Sequence, residues 1–219
     1  MSLKILNKMF KLFRLPEEGE DVVIAADPAD GGNDYCYAVA KSKKHADSFM
    51  NFHARMEAAQ LGYELNKMGL FIRRKTGRFP MVGVERNTGG ATIAVLQTLN
   101  YPSLYRMKTF DAVDKTESNR IGWVTNTQTR IKMLDDLALS LRQRVNRIYD
   151  IETIKELMAF IYNQRSGKPE AGPGSHDDRV IGEAIAWQLY QTAQAESPQS
   201  LAEKTKQFPT DLGLPSFAK

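Results

Sequence analysis

The first half of the chain alternates between short apolar runs and segments with a helical period. Val22–Ala26 is an unbroken apolar run between acidic residues and a Pro/Gly turn, which is typical of a buried strand. Residues 35–40 and 47–56 read as two further strands. Because the connections are short, these three strands are expected to form an antiparallel meander.

Parallel strands are expected to continue this sheet. Residues 81–85 form a second buried-type strand, followed by a helix over about 91–99 and a strand over 104–108. A strand–helix–strand unit of this kind makes parallel neighbours through a right-handed crossover. The pattern therefore predicts an α/β fold with a mixed sheet flanked by helices.

Helical spacing of apolar residues marks the remaining elements. Helices are predicted over residues 1–14, 58–69, 127–145, 151–161 and 176–194, with Asp150 as the cap of the fourth. Residues 109–126 have little regular pattern and are expected to form a long loop, and the Gly/Pro-rich segment 166–175 a loop or hairpin.

The length of 219 residues suits one large α/β domain with tails. We predict a linker or helix remnant over 1–20, the main domain over 21–194 and a tail over 195–219. No apolar run reaches the roughly 20 residues of a membrane span, so no membrane partner is expected. A single cysteine, Cys36, excludes a disulfide framework and a cysteine metal site, and it fits a reducing compartment.

The net charge of +4 and the sequence pI of about 9.1 permit binding to a polyanion. Basic residues are frequent between 106 and 147, and Lys115, Arg120 and Arg130 lie in or beside the predicted loop. These three are our candidates for contacts with DNA phosphates. A solvated helix face would explain the same charges equally well.

Carboxylates occur at matching places in the predicted fold. Asp27 ends the first strand, Glu85 ends the strand expected beside it, and Asp177 and Asp178 open the last helix. In open α/β sheets the ligand site lies at the carboxyl ends of the strands, where all of them could converge. Each also has a structural explanation: Asp27 as a turn residue, Glu85 as an ion-pair partner, and Asp177 as a first-turn residue favoured by the helix dipole.

A cluster of carboxylates repels itself and raises its own pKa values unless a cation neutralises it. Sites made only of carboxylates suit magnesium or manganese. Two such ions about 3.5–4 Å apart can hold a phosphodiester and activate water for in-line attack. Asp34 is a candidate accessory ligand, and His176 either contacts the scissile phosphate or simply precedes the helix.

Four motifs resemble the C-terminal nuclease domain of the large terminase subunit of tailed phages, over about residues 21–190. They are Asp-Pro-Ala-Asp-Gly-Gly-Asn-Asp-Tyr from residue 27, Val-Gly-Val-Glu-Arg-Asn from 82, Gly-Trp-Val-Thr-Asn from 122 and Ser-His-Asp-Asp-Arg-Val-Ile-Gly-Glu-Ala from 175. The resemblance implies a ribonuclease H-like fold and a two-metal endonuclease that cuts concatemeric phage DNA during packaging. It assigns the catalytic and metal-binding roles to Asp27, Glu85, Asp177 and Asp178.

The resemblance also implies partners: double-stranded DNA, a packaging ATPase domain, the portal ring and the small terminase subunit, in the host cytoplasm. The sequence lacks the Gly-x-x-x-x-Gly-Lys-Ser/Thr phosphate loop of a packaging ATPase. We therefore expect an isolated nuclease domain, with a natural stand-alone nuclease as the lesser alternative.

Other classes of function remain open at the level of sequence. A Holliday-junction resolvase or an integrase relative would use the same fold and metals. An actin-like or sugar-kinase-like nucleotide binder also has an acidic strand end followed by Gly-Gly, although such folds usually need two halves. A docking module that grips DNA or the portal would have acids that are only structural.

Overall fold

The computed structural model describes residues 4–7, 9–29, 34–111, 116–162, 169–171 and 177–192. The elements in chain order are β1 (Lys4–Asn7), β2 (Phe10–Leu12), β3 (Val22–Asp27), β4 (Tyr35–Ser42), β5 (Asp47–Arg55), α1 (Ala58–Thr76), β6 (Met81–Val84), α2 (Gly90–Thr98), β7 (Arg106–Asp111), β8 (Thr116–Ile121), α3 (Thr127–Arg142), β9 (Arg147–Ile148), α4 (Ile151–Ala159), β10 (Phe160–Tyr162), β11 (Pro169–Ala171) and α5 (Asp178–Thr192).

A mixed sheet with the strand order β1-β2-β5-β4-β3-β6 forms the centre of the fold, and β9 also pairs with β5. β3, β4 and β5 pair antiparallel, as the sequence predicts. α1 crosses over to β6, which lies parallel to β3. The sheet therefore brings the carboxyl ends of β3, β5 and β6 to the same edge.

Both faces of the sheet are covered, which explains why β3 is apolar throughout. On one face Ile24 and Ala26 pack into a core with α1 and α2. On the other face Val23 and Ala25 pack into a core with α3 and α5. A central strand that is buried on both sides has no need of polar positions.

The helix predicted near the amino terminus is wrong for the described residues. β1 and β2 form a hairpin, and β2 pairs with β5 at the margin of the sheet. Phe10 packs on Phe52 with the ring centroids 4.9 Å apart. A short apolar segment fits either the helical or the strand period. The side of β5 that β4 leaves unpaired offers hydrogen bonds to a further strand, and this favours a strand here. The division of the chain at residue 20 stays a prediction.

The first long helix does not end at Gly69, as we expected, but continues to Thr76 and is capped by Gly77 in the left-handed region. Gly69 lies inside α1. A glycine is needed at this position because a Cβ would come within 2.3 Å of the Tyr101 hydroxyl. Gly69 therefore permits close packing and does not mark a helix end.

The long loop predicted over residues 109–126 is wrong for residues 109–111 and 116–121, which belong to the antiparallel strands β7 and β8, while residues 112–115 lie outside the described part of the chain. The described residues 119 and 120 of β8 are exposed, so burial imposes no alternating pattern on them.

Among the other predictions, the Asp150 cap is confirmed: its side chain accepts a hydrogen bond from the Thr153 N–H. In the Gly/Pro-rich segment 166–175, residues 169–171 are described and form β11, which pairs antiparallel with β10, in agreement with the hairpin alternative.

None of the helices that the structure describes has the length and apolar character needed to cross a membrane.

Candidate active site

Two acids lie side by side where neighbouring parallel strands end. The register of β3 and β6 pairs Ala26 with Val84, so Asp27 and Glu85 are the next residues on the two strands. The Glu85 N–H donates a hydrogen bond of 2.8 Å to the Ala26 carbonyl, which fixes this alignment beyond the end of β6. The predicted placement of the two acids at adjacent strand ends is therefore confirmed.

The acids at the start of α5 lie at the same edge. The Asp177 carbonyl accepts the first helical hydrogen bond from Ile181, and Asp178 is the first residue of the helix. α5 approaches the sheet closely at Gly182, where a Cβ would come within 2.4 Å of the Tyr37 ring. Tyr37 is the residue of β4 that pairs with Asp27, so this contact fixes α5 beside the strand end.

The electrostatics of Asp27 shows that these acids converge. The pKa of Asp27 is raised well above its ordinary value, first by burial of the carboxyl group and then by the charges of Asp178, Glu85 and Asp177. Arg130 acts in the opposite direction and lowers this pKa. The carboxylate edge, defined by Asp27, Glu85, Asp177 and Asp178, is therefore a mutually repelling cluster.

Arg130 forms an ion pair with the cluster. Its Nη2 donates to Asp177 Oδ2 at 2.7 Å, and both side chains are about one-third exposed. Arg130 is placed by the start of α3, where Asn126 and Thr129 form a reciprocal capping box. Asp177, which the sequence placed in the first turn of the last helix, directly precedes α5, and the contact that the structure shows for its side chain is this ion pair.

Glu85 has a partner in the turn that follows it. The backbone N–H and the hydroxyl of Thr88 both donate to Glu85 Oε2, each at 3.1 Å. The turn is tight, since a Cβ at Gly89 would come within 2.1 Å of the Glu85 carbonyl oxygen. The absent side chain at Gly89 thus lets Thr88 reach back and hold one carboxylate oxygen of Glu85.

The cluster fits a hard divalent cation in its chemistry, since its donors are all carboxylate oxygens. Among the described residues, however, no three His, Cys, Asp or Glu side chains are close enough to hold a metal ion as they are placed. Asp177 and Glu85 are held by Arg130 and Thr88. Binding of a cation therefore requires the side chains of the cluster to come closer together than they are here.

The remaining predicted site residues lie outside this cluster or outside the described part of the chain. Asp34 is exposed, and its Oδ1 accepts a hydrogen bond of 2.9 Å from the N–H of the next residue, Tyr35. Arg120 is an exposed residue of β8. His176 and Lys115 lie outside the described residues. Their roles, and those of Asp34 and Arg120, stay predictions.

Sequence reasoning missed the contacts made by Arg130 and Thr88. Arg130 and Asp177 are 47 positions apart, and no local pattern links them. Thr88 follows Glu85 by three positions. An acid followed three residues later by a hydroxyl residue is a local pattern that could have predicted this hydrogen bond.

Comparisons with known proteins place the fold. No family model and no curated protein matches this chain. Among solved structures, the large terminase nuclease from thermophilic phage G20c superposes with a TM-score of 0.64 at 15% identity, covering 84% of this chain and 90% of that one. The nuclease domain from Thermus phage P74-26 superposes at 0.60 and 15% identity, covering 86% and 89%.

The fold is that of phage large-terminase nuclease domains. The G20c nuclease has also been solved with bound magnesium, and that structure superposes with a TM-score of 0.64 at 16% identity, covering 83% of this chain and 88% of that one. A longer large terminase from another thermophilic bacteriophage superposes at 0.53 and 13% identity over 77% of this chain, but this match covers only 39% of that protein. The match therefore covers most of each nuclease domain but less than half of the longer protein.

Proposed function

We propose that this chain is a metal-dependent endonuclease domain of ribonuclease H-like type that cuts concatemeric double-stranded phage DNA during genome packaging. The observation that carries the proposal is the carboxylate edge, where burial and then the charges of Asp178, Glu85 and Asp177 raise the pKa of Asp27. The terminase-nuclease fold agrees with this assignment, and relatives of this fold have been solved with bound magnesium, cobalt and zinc.

Asp27, Glu85, Asp177 and Asp178 would hold two Mg²⁺ or Mn²⁺ ions, which supply charge stabilisation and an activated water for phosphodiester hydrolysis. The residues of the chain have separate tasks around them. Thr88 holds one oxygen of Glu85 and limits the orientations of that carboxylate. Arg130 balances part of the negative charge and holds Asp177.

The partners follow from the same proposal. Duplex DNA is the substrate, and a packaging ATPase domain, the portal ring and the small terminase subunit are the assembly in which this nuclease works. We assign it to the cytoplasm of the infected cell. The longer large terminase, of which less than half superposes on this chain, has been solved in complex with ADP and is consistent with an ATPase partner.

Cleavage of supercoiled plasmid tests the proposal. The wild-type protein should nick and linearise the plasmid with manganese or magnesium and should be inactive with a chelator. Asp27→Asn and Glu85→Gln should each lose activity by at least about a thousandfold, because both remove a charged ligand of the cluster. Circular dichroism should show the same fold in both variants.

Glu57→Gln is the matched control, since it neutralises an exposed acid that follows β5 and belongs to none of the predicted site residues. It should keep the wild-type activity. Wild-type activity in Asp27→Asn at saturating manganese would contradict the proposal. A strong preference for four-way junctions over duplex plasmid would replace it with a resolvase function.

A further inference from the structure

Arg55 stands out among the arginines near the carboxylate edge. It is the last residue of β5, which runs parallel to β3, so it lies at the same edge of the sheet as Asp27. Its side chain is exposed, and its guanidinium lies over the ring of Tyr35, 4.6 Å from the centroid. The ion pairs among the described residues do not include Arg55.

The support beneath Arg55 is layered. Tyr35 pairs with Arg55 across β4 and β5, and its ring stacks on His53 with the centroids 4.4 Å apart and an interplanar angle of 6°. Arg179 contacts His53 Nδ1 at 2.9 Å from the first turn of α5, and it is held in turn by Glu156. The stack therefore joins Arg55 to the helix that carries Asp178.

A guanidinium that rests on an aromatic ring has its orientation fixed while its N–H groups remain available in its own plane. Such a planar fork matches the oxygens of a phosphate group. Less side-chain entropy is lost on binding than for a freely rotating arginine. Arg130 and Arg179, in contrast, are held by carboxylates within the protein.

The separation also suits a substrate that passes the catalytic carboxylates. Asp27 pairs with Tyr37, Tyr37 pairs with His53, and Arg55 lies two residues further along β5. Standard strand spacings place the Cα atoms of Arg55 and Asp27 about 12 Å apart. A duplex cut at the carboxylate edge would thus present a nearby backbone phosphate to Arg55.

We propose that Arg55, held against the ring of Tyr35, binds a backbone phosphate of duplex DNA next to the cutting site. The inference rests on the proposed function, because it takes DNA to be the substrate of the carboxylate edge. Tyr35 is a positioning residue in this assignment, since it acts through Arg55.

The test is the salt dependence of binding to a 30-base-pair fluorescent duplex, measured by anisotropy with a chelator present to prevent cleavage. Arg55→Gln should weaken binding roughly threefold to tenfold near 0.1 M salt, since it removes one charge-assisted contact. The slope of log K against log salt should become shallower by about 0.9, the value for one phosphate. Arg55→Lys should keep the slope, because it keeps the charge.

Arg73→Gln is the matched control. Arg73 also lies over an aromatic ring, 4.7 Å from the centroid of Phe79, but it belongs to the last turn of α1. The end of α1 contacts Gly19, before β3, and so lies at the opposite edge of the sheet. Arg73→Gln should leave both affinity and slope unchanged. Equal losses in the two variants would indicate a general charge effect and would overturn the inference.

Tyr35 variants test the positioning role separately. Tyr35→Phe keeps the ring and should bind like the wild type, whereas Tyr35→Leu should weaken binding nearly as much as Arg55→Gln. The double variant Tyr35→Leu/Arg55→Gln should be no worse than Arg55→Gln alone, because both changes disable one contact. Additive losses, or an unchanged slope in Arg55→Gln, would overturn the inference. If wild-type protein cleaves plasmid but Arg55→Gln binds normally, this inference fails while the proposed function stands.

Discussion

Two edges of the same sheet contain buried acids, but among the described residues only one edge has a cation that pairs with each of its acids. At the paired edge, defined by Arg14, Glu20 and Asp47, Arg14 donates to both carboxylates at distances of 2.5–3.1 Å. Burial raises the pKa of Glu20, but its hydrogen bonds with Arg14, Ser42 and the Glu17 backbone lower it by more, so the net pKa is lowered. At the carboxylate edge, burial and neighbouring acids together raise the pKa of Asp27.

The difference shows what distinguishes a structural acid from a candidate ligand. Burial of a carboxyl group is common to both edges, so burial alone does not indicate function. A structural acid has its charge matched within the protein, whereas the carboxylate edge has Arg130 as the cation that lowers the pKa of Asp27. A cluster whose charge is left unmatched costs stability and is retained where a ligand supplies the missing charge.

The largest effect is expected at the paired edge. Arg14→Gln leaves Glu20 and Asp47 buried without their cation, and it should lower the free energy of unfolding by about 3–5 kcal/mol. The measurement is urea unfolding at pH 7. Arg78→Gln is the control, because its pair with Asp21 is more than one-third exposed and should contribute less than about 1 kcal/mol.

The pH dependence of the stability of Arg14→Gln tests whether the paired edge is stabilised by charge. Since the folded pKa of Glu20 is lowered, its stabilising contribution is present above its ordinary value of 4.5 and is lost as the pH falls through the folded pKa. The difference between wild type and Arg14→Gln should therefore shrink in acid. An equal difference at pH 3 and pH 7 would mean that Arg14 stabilises the fold through packing and not through charge.

Removing an acid from the carboxylate edge should raise the free energy of unfolding, whereas removing Arg14 from the paired edge should lower it. Asp27 has a raised folded pKa, so its contribution is fully present below its ordinary value of 3.8 and is lost as the pH rises through the folded pKa. Asp27→Asn avoids this loss and should be more stable than wild type at pH 7 in chelator. The Tm should rise by about 2–4 °C per kcal/mol gained in a chain of this size.

The advantage of Asp27→Asn should vanish as the pH falls below 3.8, where the wild-type carboxyl group is protonated in both states. Asp34→Asn, which neutralises an exposed acid, should change the Tm little at any pH. A metal-free Asp27→Asn protein that is less stable than wild type at pH 7 would contradict the claim that the acids of the carboxylate edge destabilise the metal-free fold.

A smaller effect is expected for Arg130, the cation that pairs with Asp177 at the carboxylate edge. Arg130→Gln frees Asp177 and removes a positive charge from the neighbourhood of the metal ligands. Manganese should then bind up to about tenfold more tightly in a calorimetric titration. Arg142→Gln, at the exposed end of the same helix, should not change the affinity. Weaker manganese binding in Arg130→Gln would show that the ion pair supports the ligands and does not compete with the metal.

The sequence predicts the carboxylate edge better than it predicts its surroundings. Asp27 and Glu85 follow short apolar runs that are typical of buried strands, and parallel pairing then places the two acids together. The β1–β2 hairpin depends on the free margin of β5, a partner about 40 residues away, so its local pattern is ambiguous. The pairing of Arg130 with Asp177 depends on how α3 and α5 pack, which no local period encodes.

The most direct test of the central claim is a calorimetric titration of manganese into the metal-free wild-type protein and into Asp178→Asn, at pH 7 without DNA. We expect saturable binding to the wild type, loss of that binding in Asp178→Asn and weaker binding in Asp177→Asn, because both acids are assigned as metal ligands. Saturable binding of equal affinity in the wild type and in Asp178→Asn, or no binding to the wild type, would contradict the assignment of the carboxylate edge as a metal centre.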